Sequence, residues 1–440
     1  MPKLKVVTFG CQANELDSAR IVGLLARDGY TLTDDESEAD LIILNGCSIR
    51  DKAEQKLYSR LGTLRALKAR RPNLRLGVAG CLGQREGETL RRRFPYLDLV
   101  VGNGEHLVEI PRLLSAAAVR LSSAAIPPTG FFPADVEVHR DSRYRAWVGV
   151  MEGCDNFCTF CVVPHTRGRE RSRPPDEILG EVAALRDRGY REITLLGQTV
   201  NSYGLKLEPP VSFAALLRRI DRVVGPYVRV RFATSHPKDV TAELAEAMAS
   251  LPSVCPHMHL PIQSGSSRTL ARMGRTYSRE EYLDKVQLLR AAVPDLSLTT
   301  DIIVGFPGES DKGFEETLSL MREVGFDAAF AFKFSPRRGT PAADFPDQVP
   351  DSVRAERLAA VLSLQDELSL RKNGKWIGRR VEVLVDCELS KRGSGLAGGR
   401  TRQNKIVHFT GGEVEEGTLA NVQITGGTSH HLKGVLIPSL

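Results

Sequence analysis

Apolar strand-like segments that alternate with amphipathic helical segments constrain the fold of this chain more than any other feature. In residues 3–103, three such strands (KLKVVTF, ADLIILN and RLGVAG) are each followed by a cysteine and a helical stretch, and LVVGN resembles a fourth strand. This alternation predicts an α/β domain built on a parallel sheet.

Cys11, Cys47 and Cys81 directly follow the first three predicted strands. Ligand sites in open α/β sheets lie beyond the carboxyl ends of the strands. We therefore expect the three thiols to converge on one site.

The remaining chain divides into a linker and two further domains. Small residues and a Pro-Pro pair mark a linker at 119–142, after a first domain of residues 1–118. The alternation resumes in residues 143–372 with six strand candidates, which favours a partial (β/α)6 barrel with its site at the C-terminal mouth. Short strands with glycine-rich turns in residues 373–440 predict a small, OB-like β-barrel. The six candidates are RAWVGVM, EITLLGQ, YVRVRFAT, VCPHMHLP, LSLTTDIIVGF and DAAFAFKF.

The net charge of +6 is small, but the basic residues are concentrated. From Arg371 to Lys405 there are ten Lys/Arg and three Asp/Glu. Such an excess on a small β-barrel is typical of nucleic-acid binding, although a solvated basic face gives the same count. The candidate RNA contacts here are Arg379, Arg380, Arg400 and Arg402.

Eight cysteines in 440 residues are too dilute for a disulfide scaffold. The N-terminus lacks the apolar core of a signal peptide, and no apolar run reaches the roughly 18 residues of a membrane span. We therefore expect a cytoplasmic protein without membrane contact, in which clustered cysteines indicate metal binding or catalysis.

The most specific motif is MEGCDNFCTFC at residues 151–161, in which Cys154, Cys158 and Cys161 have the spacing C-x3-C-x2-C. A 4Fe-4S cube is commonly held by four thiolates, so three would leave one iron open to a small molecule. The alternative is a zinc knuckle that takes a fourth ligand such as His165.

This spacing, with the aromatic Phe160 before the last cysteine, resembles the signature of radical S-adenosylmethionine (SAM) proteins. The whole chain resembles the MiaB-type tRNA methylthiotransferases, and its C-terminal barrel resembles their TRAM domain, an RNA-binding module. The motifs that carry the resemblance are TFGCQANELDS, LILNGCSIRDKA, GVAGC, MEGCDNFCTFCVVPHTRG, TLLGQTVNSYG, RFATSHP, HLPIQSGSSRTLARMGR, DIIVGFPGES and FSPRRGTPAAD.

The resemblance implies two 4Fe-4S clusters and SAM as cofactors. Cys154, Cys158 and Cys161 would hold the catalytic SAM-cleaving cluster, and Cys11, Cys47 and Cys81 an auxiliary cluster for sulfur insertion. The implied reaction adds a methylthio group to C2 of N6-isopentenyladenosine at tRNA position 37. The implied partners are tRNA, a flavodoxin- or ferredoxin-like electron donor and proteins of sulfur and iron–sulfur assembly, and we expect a monomer.

Several polar residues at predicted strand ends are candidates for SAM binding, although polar strand ends also serve as helix caps. The glycines of VGFPGE permit close approach to a flat ligand, and related proteins use this region for the adenine of SAM. The candidates are Gln198, Asn201, Ser235, Gln263, Gly305 and Glu309. Arg167 and Arg169 begin a basic run whose side chains could hold tRNA phosphates or the SAM carboxylate, or line a solvated loop.

Other conspicuous residues need no catalytic role. We interpret Cys255 and Cys387 as small buried hydrophobes, with Cys387 on an internal strand. His236, His257 and His259 are expected to be structural.

Three alternatives stay open. Sister enzymes of the same family act on threonylcarbamoyladenosine in tRNA or on an aspartate of a ribosomal protein. Gln12 and the segment SHP at 235–237 favour the isopentenyladenosine branch. The third alternative is a metal-stabilised RNA-binding protein without catalysis. Ala13, Gly46 and Arg338 depart from the family pattern, which usually has Met, Thr and Pro at these places.

Overall fold

The computed structural model describes residues 1–48, 51–115, 129–390, 396–412 and 414–437. No helix among these residues is long and apolar enough to cross a membrane. The predicted boundary between residues 118 and 119 lies outside the described residues.

The N-terminal domain is a five-stranded parallel sheet in the order β2-β1-β3-β4-β5. Apolar side chains alternate between its two faces: Leu41 and Ile43 enter one core cluster, and Ile42 and Leu44 enter the other. Burial on both faces explains why β3 is apolar throughout. The strands are β1 (Lys3–Phe9), β2 (Thr31–Leu32), β3 (Leu41–Gly46), β4 (Arg75–Ala79) and β5 (Leu99–Val100). The helices are α1 (Gln12–Arg27), α2 (Asp51–Arg70), α3 (Cys81–Arg93) and α4 (Ile110–Ser115).

The described part of the predicted linker packs on this domain. Phe132 and Val136 are buried in its core, and the His139 backbone amide donates to the Ala19 carbonyl at 3.1 Å. Residues 129–139 are therefore an extension of the N-terminal domain rather than a free connection.

The central domain contains all six predicted strands, in two parallel three-stranded sheets of order β10-β9-β6 and β11-β12-β13. A parallel bridge joins Val230 on β10 to Val254, in the segment that leads into β11. The strands are β6 (Arg145–Gly149), β7 (Met151–Glu152), β8 (Arg171–Ser172), β9 (Glu192–Leu196), β10 (Arg229–Ala233), β11 (His257–His259), β12 (Ser297–Val304) and β13 (Ala328–Lys333). The helices are α5 (Val163–Thr166), α6 (Pro175–Asp187), α7 (Phe213–Val224), α8 (Ala242–Ser250), α9 (Ser267–Arg272), α10 (Arg279–Ala292), α11 (Asp311–Val324) and α12 (Asp351–Gly374).

Alternate residues of each barrel strand face the helices or the interior. On β12, Leu298, Ile302 and Val304 enter the helix-covered core, which leaves Thr299 and Asp301 on the opposite side. We call this opposite side the lumen.

The C-terminal domain is the predicted small barrel, closed in the order β14-β15-β16-β18-β17. Val383, Val407, Phe409 and Val422 fill its core. Its strands are β14 (Arg380–Val385), β15 (Ala397–Thr401), β16 (Ile406–Thr410), β17 (Leu419–Gly427) and β18 (Leu432–Leu436). The interpretation of Cys387 as an internal strand residue is wrong, because the chain leaves β14 and forms a 3-10 turn at Cys387–Leu389.

This small barrel docks against the N-terminal ends of the central strands. The Arg231 guanidinium on β10 donates to the carbonyls of Thr401 and Arg402, both at 2.8 Å. Arg145 at the start of β6 pairs with Asp386 at 2.6 Å. Asp327, just before β13, is buried and accepts from Lys405 at 2.8 Å and from Lys372. The docking surface lies at the end of the barrel opposite the C-terminal mouth.

We predict that Asp327→Asn lowers the free energy of unfolding in urea by about 3 kcal/mol, because Lys405 then stays buried without its carboxylate. Asp366→Asn is the matched control and should change it by under about 0.5 kcal/mol, since the Asp366 side chain is more than half exposed. Equal effects of the two substitutions would contradict a docking role for Asp327.

The same pair sets a pH dependence. Burial alone would raise the pKa of Asp327, but Lys405 and Lys372 hold that pKa below its ordinary value of 3.8. The stabilisation is therefore complete above pH 3.8 and is lost as the pH falls through the lower folded pKa. The difference between the wild-type chain and Asp327→Asn should shrink over that acidic range.

Candidate active site at the carboxyl ends of the strands

The C-x3-C-x2-C segment lies in a loop that the β7–β8 hairpin closes at its base. The Cys154 amide donates to the Gly168 carbonyl at 3.2 Å. Gly153 has φ 79°, and a Cβ there would lie 2.1 Å from the Arg169 carbonyl oxygen, so only glycine fits. The hairpin thus fixes the loop directly beyond the first barrel strand.

Each of the three thiols has a defined surrounding. Asn156 donates its side-chain amide to the Cys154 sulfur at 3.2 Å, and Arg275 donates to the Cys158 sulfur at 3.5 Å. Burial raises the pKa of Cys161 to about 12, and the nearby Cys158 thiol adds to that rise. A thiolate at this position needs a compensating positive charge, which bound iron supplies.

The other three thiols follow adjacent strands of the N-terminal sheet. Cys11 follows β1, Cys47 follows β3 and Cys81 opens the helix after β4. A hydrogen bond with Cys47 lowers the pKa of Cys11 to about 5, whereas burial raises the pKa of Cys81. The structure therefore brings these thiols to one edge of the sheet.

The donor chemistry of both sets fits iron–sulfur clusters. Each set offers three thiols, and all six cysteines are free of disulfides. No three His, Cys, Asp or Glu side chains in the described part of the chain converge as the ligands of one metal ion do. Thiols that are farther apart than the ligands of one metal ion are compatible with a 4Fe-4S cluster, because each thiolate binds a different iron of the cluster.

One buried junction joins the two cysteine sets. The Arg167 guanidinium, from the loop after Cys161, donates to Asp17 on α1 at 2.7 Å, and its positive charge opposes the rise in the pKa of the nearby Cys81. Asn103 of the N-terminal domain donates to the Thr166 carbonyl at 3.1 Å and to the Cys81 sulfur at 3.6 Å.

A second ion pair completes this junction. Arg20 on α1 pairs with Glu152 on β7 at 2.8 Å, and all four charged side chains of the two pairs are buried. The expected tRNA contact of Arg167 is therefore corrected: its guanidinium is inside the protein, held by Asp17 rather than open to a phosphate.

Two of the predicted SAM contacts have buried acceptor or donor atoms without a partner among the described residues. These atoms are the Gln198 Oε1, beyond β9, and the Ser235 Oγ, beyond β10. Buried polar atoms are nearly always hydrogen-bonded in proteins, so these two atoms fit a polar ligand at the mouth.

The other predicted contacts mainly shape the mouth. Asn201 exchanges both of its amide atoms with the His236 backbone, at 2.7 and 2.8 Å. One oxygen of Glu309 accepts from the Gly305 amide at 2.6 Å and from Arg357, while its Oε1 is buried and without a partner in the described residues. Gln263, in the segment that follows β11 and bridged to Ile302 on β12, has a positive φ of 72°, the kind of backbone strain that occurs at functional sites.

The predicted RNA contacts separate into exposed and docked arginines. Arg169 is exposed and lies over the exposed Phe157 ring at 4.9 Å. Arg379 and Arg380 are exposed at the start of the small barrel. Arg402 instead donates to the Val254 carbonyl at 2.9 Å, and the backbone carbonyl of Arg400 accepts from Arg229, so both residues lie in the docking surface.

Sequence reasoning missed Asp17, Asn103 and Arg275. Nothing local marks them, because each acts on a residue far along the chain, as Arg275 does on Cys158. Of the family departures, Gly46 has a structural reason: a Cβ there would lie 2.5 Å from the Leu57 side chain. Arg338 is exposed, and nothing in the structure explains Ala13.

Family models match both halves of this site. The model of the Radical SAM superfamily matches residues 148–321, and that of Uncharacterized protein family UPF0004 matches residues 3–102. In fold, the chain is similar to the radical S-adenosylmethionine methyltransferase TsrM from Kitasatospora setae. The TM-score is 0.56 at 14% identity, over 78% of this chain and 75% of that one. The fold and the site therefore define a radical SAM protein with an added N-terminal sheet domain.

Full-length relatives are more specific. The tRNA-2-methylthio-N(6)-dimethylallyladenosine synthase of Thermoanaerobacter sp. (strain X514) is 44% identical over 98% of this chain and 92% of its own length. Those of Clostridium botulinum (strain Hall) and Pelotomaculum thermopropionicum are 45% and 43% identical, over 98% and 99% of this chain and 96% and 98% of theirs. The chain belongs to the family of tRNA-2-methylthio-N(6)-dimethylallyladenosine synthases.

We predict that Arg167→Met lowers the free energy of unfolding in urea by about 3–5 kcal/mol, because Asp17 stays buried without this guanidinium. Adding Asp17→Leu should restore most of the loss, since the buried carboxylate is then gone and Arg20, 3.4 Å from Asp17, keeps its pair with Glu152 at 2.8 Å. Arg169→Met, at an exposed arginine two residues away, is the control and should have little effect. Additive losses in the double variant would contradict a buried pair.

Proposed function

We propose that the chain is a radical SAM methylthiotransferase that converts N6-dimethylallyladenosine at tRNA position 37 to its 2-methylthio derivative. The buried junction supports this proposal most directly, because Arg167, six residues after Cys161, pairs with Asp17 and lies beside Cys81 of the N-terminal domain. The activity for which the full-length relatives are named supports this substrate over threonylcarbamoyladenosine in tRNA or an aspartate of a ribosomal protein.

Each cysteine set has its own proposed task. Cys154, Cys158 and Cys161 would hold the cluster that binds SAM, and Cys11, Cys47 and Cys81 the auxiliary cluster. The bound cofactors supply reductive cleavage of SAM, removal of the unreactive C2 hydrogen, and sulfur and methyl transfer, chemistry that no side chain provides.

The protein residues bind, orient and shield. We propose that Gln198 and Ser235 hydrogen-bond the polar groups of SAM, and that Gly305 and Glu309 shape its adenine pocket. Arg275 donates to the sulfur of Cys158 and Asn156 to that of Cys154. Asn103 donates to the sulfur of Cys81, and the positive charge of Arg167 lies nearby. Such hydrogen bonds orient metal ligands and disperse their negative charge.

The proposed partners follow from this chemistry. The exposed Arg169 and Phe157 at the mouth, and Arg379 and Arg380 on the small barrel, would contact tRNA. A flavodoxin- or ferredoxin-like donor would supply electrons, and sulfur and iron–sulfur assembly proteins would load the clusters. We further propose that the protein acts as a cytoplasmic monomer.

Substitution of single cysteines should separate the two tasks. Cys154→Ala should abolish formation of 5′-deoxyadenosine from SAM. Cys47→Ala should leave that reaction at least partly intact while stopping 2-methylthio formation in tRNA, measured by mass spectrometry of nucleosides. Cys255→Ala, at a buried cysteine outside both sets, is the control and should retain both reactions. Loss of both reactions in Cys47→Ala, in a folded protein, would count against two separate clusters.

The salt dependence of RNA binding should identify the phosphate contacts of the small barrel. Arg379→Ala with Arg380→Ala should reduce the slope of log affinity against log salt by about 1.4–1.8, because two fewer counterions are released. Arg371→Ala is the matched control, since this exposed arginine lies on α12, outside the small barrel, and pairs with Glu367 at 2.7 Å, whereas Arg379 is 3.6 Å from Asp295. Point variants are preferable to truncation, which would uncover the buried Arg229 and Arg231. An unchanged slope would show that the two arginines form only a solvated face.

A further inference from the structure

The lumen of the central barrel carries two exposed aromatic rings that the proposed function leaves unassigned. Phe330 and Phe332 on β13 are 54% and 40% exposed. Their neighbours Ala329 and Ala331 pack against the helix-covered core, so the two rings lie on the lumen side. Exposed aromatic side chains at adjacent lumen positions mark a binding surface more than they mark a core.

A carboxylate stands beside the rings. The strand register places Asp301 opposite Phe330 and Ile303 opposite Phe332. His259 holds this region in place: its ring meets Phe330 edge-on at 5.9 Å, and its Nε2 lies 3.5 Å from the Asp301 carboxylate. We call Phe330, Phe332 and Asp301 the lumen wall.

The lumen wall adjoins the loop that carries Cys154, Cys158 and Cys161. Ile303, opposite Phe332, packs in the same apolar cluster as Phe160, the residue before Cys161. The strand that carries Asp301 continues into Gly305 at the mouth. A ligand against the wall therefore lies beside the loop that would hold the SAM-cleaving cluster.

The chemistry of the wall selects its occupant. A carboxylate repels phosphate, so this surface does not suit the RNA backbone, and apolar rings beside one acceptor suit a base with an apolar substituent. N6-dimethylallyladenine has a branched apolar group and one N6–H donor on the same nitrogen. The name of the full-length relatives contains this base in its methylthiolated form.

Resting on the proposed function, we infer that the lumen wall binds the prenylated base of the tRNA. Phe330 and Phe332 contact the dimethylallyl group and set the preference for prenylated over unmodified adenine. Asp301 accepts the N6–H, a donor that both bases possess. The two rings therefore determine the preference for the prenylated base, whereas the carboxylate contributes to the affinity for both bases. Measurements of Kd for the two RNAs separate these effects.

The test uses the reconstituted full-length enzyme with SAM and two synthetic anticodon stem-loops, one with N6-dimethylallyladenosine and one with adenosine. Fluorescence anisotropy gives Kd for each. We expect Phe330→Ala with Phe332→Ala to reduce the preference for the prenylated RNA about tenfold or more. Asp301→Ala should weaken binding of both RNAs by a similar factor and leave the preference unchanged. Tyr227→Ala is the matched control, because this 73% exposed ring precedes β10 at the opposite end of the strands.

The outcomes distinguish this inference from the proposed function. An unchanged preference in the phenylalanine variant, or no preference in the wild-type enzyme, overturns the role of the wall. A preference lost in the phenylalanine variant and kept in Tyr227→Ala supports it, whether or not the wild-type enzyme forms the 2-methylthio nucleoside. Absence of that nucleoside contradicts the proposed function alone. Retained SAM cleavage without RNA shows that each variant is folded.

Discussion

The buried pairs Arg167–Asp17 and Arg20–Glu152 are the interaction on which the rest of the site depends. Each joins the N-terminal sheet to the central barrel, and a buried charge without its partner is strongly destabilising. Both pairs form together in only one arrangement of the two domains. In that arrangement the guanidinium of Arg167, in the segment that follows Cys161, lies beside Cys81 of the N-terminal domain.

Much of the fold could be predicted, because the local pattern of apolar residues determines which segments form strands and helices. The alternation of apolar segments gave the three β strands that precede Cys11, Cys47 and Cys81, the six barrel strands and the small C-terminal barrel. The ion pair between Asp17 and Arg167 was not predicted, because the two residues are 150 positions apart in the sequence. An aspartate on an amphipathic helix and an arginine in a basic run look like solvated residues until tertiary packing pairs them.

In the C-terminal domain, the count of charged residues did not predict which cations are exposed, for a related reason. The excess between Arg371 and Lys405 is real, but composition does not say what faces each cation. Lys405 neutralises the buried Asp327, and Arg402 meets backbone carbonyls of the central domain. Part of the basic stretch therefore attaches the barrel, and Arg379 and Arg380 belong to the part that is exposed to solvent, as the proposed RNA contact requires.

This attachment also determines how a substrate enters. Arg231 and Glu192 form a buried pair at the N-terminal ends of the strands, and the Thr401 and Arg402 carbonyls cover it. The lumen is thereby closed at that end, and its open end lies beside the cysteine loop. The aromatic rings and the carboxylate above this closed end suit a base better than a charged backbone. A base bound at the lumen wall, as inferred above, would stand outside the RNA stack, while the phosphates would remain outside the lumen near the exposed arginines.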